Sequence, residues 1–221
     1  MLNKETILIS LKLFIITAVS ALLLAVVNKI TLPIITENNK ATEIAAQQEV
    51  LPEAADFKSL EIPKMENSDA VIEKMSGGIT VENSGEITGY VVTAVSHAGY
   101  GGDIKVMVGI DGDLKVTKIK ILESSETAGL GANASKPKFS DQFIGADKKL
   151  SVVKGIAKDG EISAISSATI TSKAVTSCVN AAIEAAQLKS ADSSAGETVQ
   201  KLEQIKQETE AQISQNGGDA E

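Results

Sequence analysis

From Leu13 to Val27 the chain reads LFIITAVSALLLAVV, with no charge, and only Asn28, Lys29 and threonines interrupt it before Ile35. About 20 such residues suffice to cross a bilayer as a helix, so the pattern predicts a transmembrane helix over 13–35. Lys4 and Lys12 precede it, which puts residues 1–12 in the cytoplasm and the rest of the chain on the outer face of the cell membrane. The rival reading is a cleaved signal peptide with its apolar segment ending near Val27. No small-x-small site with a polar approach follows it, so an uncleaved anchor is expected.

Beyond the anchor the periodicity changes. The Ala/Gln/Glu-rich stretch 38–51 predicts a helix leading away from the membrane. Pro52 and the mixed acidic residues up to 88 predict a connector with a short strand or two. GYVVTAVS over 89–96 reads as a strand. Ile104, Val106, Val108 and Ile110 alternate with Lys105, Met107 and Gly109 as a half-buried strand. Asp111-Gly112 is a turn, and 114–122 returns as the next strand. There Leu114 and Val116 fall on one face, while Ile119 and Ile121 fall on the other, which a bulge near Thr117-Lys118 would reconcile. Phe139 and Phe143 anchor a short helix, and 150–153 and 162–165 add strands. Val175, Cys178, Val179, Ala182, Ile183 and Ala186 line one face of a helix, with Thr171 or Ser172 as its N-cap. From 190 the Ser/Ala/Glu/Gln-rich sequence predicts an acidic, flexible tail, with a short helix through Val199, Leu202 and Ile205 as the alternative. The fold class is α+β: a transmembrane helix, a connector over 36–88, a mainly antiparallel sheet with packed helices over 89–189, and the tail over 190–221.

Composition narrows the chemistry. The net charge of −8 argues against nucleic acid as a partner. All 21 basic residues are lysine, so bidentate arginine clamping of a phosphate is not available. Cys178 is the single cysteine and His97 the single histidine. The chain therefore builds no internal disulfide and no cysteine-based metal site. A hydrolytic triad would need His97, and no nucleophile motif stands near it.

Three segments carry candidate chemistry. Gly99-Tyr100-Gly101-Gly102 lies between two strands and permits close backbone approach to a ligand; a plain hairpin turn is the alternative. Ser125-Glu126-Thr127-Ala128-Gly129-Leu130-Gly131 is a Gly-containing loop with one acid, whose default reading is a surface loop. Ser166-Ser167-Ala168-Thr169-Ile170-Thr171-Ser172-Lys173 sets five hydroxyls at the start of a helix, where unpaired N–H groups favour an anion. Alone, that segment is equally an N-cap with a Ser/Thr-rich approach.

In this order, behind an anchor, the three segments resemble the G-subunit family of Rnf electron-transport complexes. They are also similar to the C subunits of sodium-translocating NADH:quinone reductases, both being covalently flavinylated FMN-binding domains. The resemblance covers about residues 1–188 and is most specific at 99–131 and 163–186. It implies FMN attached through a phosphoester to Thr169, at the end of Ser163-Ala164-Ile165-Ser166-Ser167-Ala168-Thr169. Ser163 stands where that family usually has Asp, Ser167 where it has Gly, and Ala128 where it has Pro. If the Gly position requires a positive φ, Ser167 carries about 1 kcal/mol of strain. The implied cofactor site comprises Thr169 with Ser166, Ser167, Ala168, Thr171, Ser172 and Lys173. Glu126, Thr127, Gly129, Leu130 and Gly131 form the opposite wall, and Tyr100 stacks on a ring or serves as an ordinary core or surface tyrosine. Lys173 is expected to neutralise the phosphate. The implied function is an electron relay in a ferredoxin:NAD+ oxidoreductase complex coupled to sodium or proton transport. Its partners would be membrane, iron–sulfur and flavin subunits, with a flavin transferase for maturation and no independent catalysis. The alternatives are the flavin subunit of a quinone-reducing sodium pump and a non-redox, membrane-anchored scaffold.

Overall fold

A computed structural model describes residues 4–65, 68–80 and 87–216. They divide into two compact units at Ala45. The first unit holds most of helix α1 (Lys4–Val50). Its segment Leu8–Leu32 has mean hydropathy 2.4 and no buried residue within the protein. Twenty-five helical residues extend about 37 Å, more than the ~30 Å of a hydrocarbon core. The hydroxyls in this run are satisfied by their own helix: Ser20 Oγ donates to Ile16 O at 2.9 Å and Thr31 Oγ1 to Val27 O at 2.8 Å. A polar group in lipid needs such internal bonding. The apolar window begins at Leu8, ahead of the expected 13–35. The helix expected separately over 38–51 is the continuation of α1, because the polar residues 37–40 include no helix breaker.

The second unit is built on an antiparallel sheet whose strands run in chain order: β1 (Asp56–Leu60), β2 (Val71–Ile79), β3 (Ile87–Ser96), β4 (Ile104–Asp111) and β5 (Val116–Ser124). The sheet therefore starts inside the stretch 36–88 that the sequence pattern reads as helix and connector. Period-2 alternation sorts the central strands. Tyr90, Val92, Ala94, Val106, Val108 and Ile110 join the main core, while Val91 and Met107 join a smaller cluster with Ala46, Val50, Leu51 and Ala54 on the other face. The predicted bulge is present: Gly109 pairs with Lys118 and Ile110 with Val116, leaving Thr117 unmatched. Its Oγ1 turns to donate to Val50 O.

The main core is closed by α3 (Thr169–Asn216). Its predicted face, Val175, Cys178, Val179, Ala182, Ile183 and Ala186, is buried against the sheet. The helix backbone continues to Asn216, so residues 190–216 are helical where a tail was expected; 217–221 lie outside the described residues. Two short strands, β6 (Ser151–Val153) and β7 (Glu161–Ser163), pair in parallel. Asn180 of α3 holds the start of β6, accepting from Leu150 N at 2.8 Å and donating to Leu150 O at 2.9 Å. Between β5 and β6, the one-turn helix α2 (Pro137–Ser140) carries Phe139, which meets Phe143 edge-on at 5.4 Å. Both rings are buried, as their anchoring role requires.

Candidate functional site

β7 leads directly into the hydroxyl-rich segment. Ala168 N donates to Ile165 O at 2.9 Å, closing a turn in which Ser167 has φ 61°. That conformation suits glycine and costs another residue about 1–2 kcal/mol. The first intrahelical bond of α3 runs from Ser172 N to Ala168 O at 3.0 Å. Ala168 is therefore the N-cap position, ahead of the Thr171 or Ser172 that the sequence predicts, because the two hydroxyls are engaged elsewhere. Ser172 Oγ donates to Ala168 O and accepts from Ile165 N, both at 2.9 Å, and is fully buried. Thr171, 1% exposed, donates its hydroxyl to Glu126 Oε2 at 2.8 Å.

Thr169 is different. It is half-buried at the first position of the helix, and its hydroxyl has no hydrogen-bond partner among the described residues. It lies between two cavities. One, of about 540 Å³, is lined by Tyr100, Glu126, Thr127, Leu130, Gly131, Ser167, Ala168, Thr169, Ile170 and Thr171. The other, of about 410 Å³, is lined by Lys154, Gly155, Ala164, Ile165, Ser166, Ser167 and Thr169. A third, of about 810 Å³, shares Leu130 and Ala164–Ser167 and adds Gly129, Asn133, Lys136, Lys138, Phe139, Gln142 and Ser163. All three fall within the roughly 300–1,000 Å³ usual for small-molecule sites.

The three candidate segments thus converge. Tyr100 is largely exposed at the rim, with Leu130 and Ile170 partly exposed beside it. Gly129, φ 78°, accepts through its carbonyl from Asn133 Nδ2 at 2.7 Å. Lys173 departs from expectation. It lines a separate groove of about 450 Å³ with Asp69, Lys149, Asn180 and Glu184, and none of the cavities at Thr169. The lysine that shares a cavity with Thr169 is Lys154, which the sequence pattern does not single out because a lone lysine after a short strand carries no signal. Ser172, engaged on both sides by backbone, shapes the turn and lines none of the three cavities.

Ser163 ties down the loop that follows Lys154. Its Oγ donates to Gly155 O at 2.6 Å and accepts from Ala157 N at 3.1 Å. Its backbone N–H donates to Gln142 Oε1 at 2.8 Å. A carboxylate could accept from Ala157 but could not donate to Gly155. His97 forms an exposed pair with Asp103 at 2.8 Å across the glycine loop.

These residues fit an FMN. Glycines at 99, 101 and 131 let their backbone pack directly against its neighbours at the cavity wall, where a Cβ would collide with protein atoms. Leu130, Ala168 and Ile170 offer apolar contact for a ring. The N–H groups of residues 169–171 precede the first intrahelical donor and favour a phosphate.

A family model described as the FMN-binding domain matches residues 99–184. The chain is 44% identical over 188 residues to the G subunit of the Na(+)-translocating ferredoxin:NAD(+) oxidoreductase complex of Acetobacterium woodii, covering 81% of this chain and 90% of that protein. It is 31% identical over 183 residues to the G subunit of the ion-translocating oxidoreductase complex of Methanosarcina acetivorans, covering 82% and 95%. Over 98 residues it is 50% identical to the G subunit of the proton-translocating ferredoxin:NAD(+) oxidoreductase complex of Clostridium ljungdahlii, covering 43% and 51%.

Proposed function

Since the chain belongs to the G-subunit family of Rnf-type ion-translocating oxidoreductase complexes, we propose that it is a membrane-anchored flavin subunit whose FMN is esterified to Thr169 Oγ1. One observation carries the assignment. Of the hydroxyls in the first turn of α3, Thr171 and Ser172 are buried and engaged, whereas that of Thr169 is unpartnered among the described residues and opens on two cavities.

Tyr100, Leu130 and Ile170 would contact the ring, and Lys154 and the first-turn N–H groups would hold the ester phosphate. With no arginine in the chain, the covalent bond replaces the clamp that would retain a free phosphate. Thr169 Oγ1 would be the acceptor of the FMN phosphate delivered by a flavin transferase, giving up its hydroxyl proton. When bound, the FMN supplies the redox chemistry, and the protein binds, orients and shields it. The chain itself contributes no acid–base catalyst and has no independent activity. It relays electrons between membrane, iron–sulfur and flavin subunits of a ferredoxin:NAD+ oxidoreductase coupled to sodium or proton translocation. Leu8–Leu32 anchors it in the cell membrane, with the N-terminus cytoplasmic and the FMN domain on the outer face.

Expression of the full chain with a flavin transferase tests this reading. The SDS-denatured band fluoresces under ultraviolet light if the flavin is covalent, and a dark band from correctly matured protein contradicts it.

A further inference from the structure

Segments 25 and 45 residues from Glu126 meet on its carboxylate. Oε1 accepts from Gly101 N at 3.1 Å and Oε2 from Thr171 Oγ1 at 2.8 Å. The backbone around it is packed too closely for side chains. A Cβ at Gly101 would collide with Ser125 O, one at Gly99 would stand 2.8 Å from Glu126 Oε1, and one at Gly131 would collide with Glu126 Oε2. The same carboxylate lines the cavity beside Thr169.

We propose that Glu126 is a positioning residue that assembles the flavin cavity before the cofactor arrives. It fixes the spacing of the loop 99–102, the loop 125–131 and the first turn of α3, and it occupies the Thr171 hydroxyl while that of Thr169 stays open. The identity of the ligand rests on the Thr169 reading; the strut is a property of the chain without cofactor.

The side-chain chemistry separates positioning from charge. Glutamine can reproduce both contacts, its carbonyl oxygen accepting from Gly101 N and its amide donating to Thr171 Oγ1. Alanine reproduces neither. A residue acting through its negative charge on the ring would be lost in both variants.

The experiment uses the full chain, first without flavin transferase and then loaded by it. Amide hydrogen exchange at Gly101 reads the strut in the first state. Fluorescence per chain against time, with the visible circular dichroism of the attached flavin, reads the cavity in the second. In Glu126→Ala, exchange at Gly101 and the loading time both rise about tenfold or more, and the dichroism of any attached flavin changes. Glu126→Gln restores all three readouts. Thr171→Val removes one arm only and falls between, so the proposal stays testable if the alanine variant does not fold. Unchanged Gly101 protection and loading in Glu126→Ala overturns the proposal, and so does a glutamine variant as defective as alanine. If wild-type chain takes no label at Thr169, the phosphoester reading fails, while exchange at Gly101 still decides the strut.

Discussion

Within one helical turn, Thr169 and its neighbours Thr171 and Ser172 have the same functional group and opposite fates. The pair on the inner side is buried and spends its hydroxyls on Glu126, Ala168 and Ile165. Thr169 on the outer side has no such partner among the described residues and meets two cavities. A hydroxyl that already holds the fold together is a poor acceptor, because esterifying it would cost its hydrogen bonds and introduce a charge into the core. What distinguishes an attachment site is the hydroxyl the fold leaves unused.

The contrast can be broken at several points. The largest effect is all-or-none: Thr169→Val keeps shape but removes the acceptor, and in-gel flavin fluorescence disappears while the far-UV dichroism is kept. Next is the inner face further along α3, at Cys178. Burial raises its thiol from 9.0 to about 12. The folded state thus favours the neutral thiol. That contribution to stability is fully present below about pH 9 and is lost as pH rises toward 12. Iodoacetamide at pH 9 therefore leaves the native chain unmodified and alkylates it once denatured. Ser172→Ala leaves the half-buried Ile165 N–H without its Ser172 acceptor and lowers unfolding stability by about 1 kcal/mol or more, read by urea titration. Ser167→Gly works in the other direction. It relieves the residue at φ 61° and raises stability by about 0.5–1 kcal/mol once the greater freedom of the unfolded chain is counted. Smallest is Lys173→Gln, which leaves the loading rate unchanged, whereas Lys154→Gln slows it. Equal slowing by both would erase the distinction between the two lysines.

Much of this is legible from pattern. Alternation marks the central strands, and the phase shift after Val116 locates the bulge at Thr117. The helical face of α3 follows from period, and the glycine that the resemblance expects at 167 matches the φ of 61° at Ser167. The misses share a cause. β1 and β2, read only as a short strand or two within a connector, lack clean alternation, since Gly77 and Gly78 interrupt β2, and the pairing of β1 with β2 and of β2 with β3 makes them part of the main sheet. The N-cap falls at Ala168 rather than later because Thr171 and Ser172 look like caps until their long-range partners are known. Glu126 stands out as a lone acid in a glycine loop, but its bonds reach across 25 and 45 residues, beyond any local pattern. Lys154 lines the cavity only because the chain after β6 turns back there, where Ser163 Oγ bonds Gly155 O, a contact between residues eight apart that no local pattern carries.

The central claim, that the flavin sits on Thr169, is tested most directly by peptide mass spectrometry of the full chain matured with a flavin transferase. The account predicts the FMN mass on the peptide containing Ser166–Lys173, with fragment ions placing it on Thr169 alone. The same mass found on Thr171 or Ser172, or on no residue of that peptide, would contradict it.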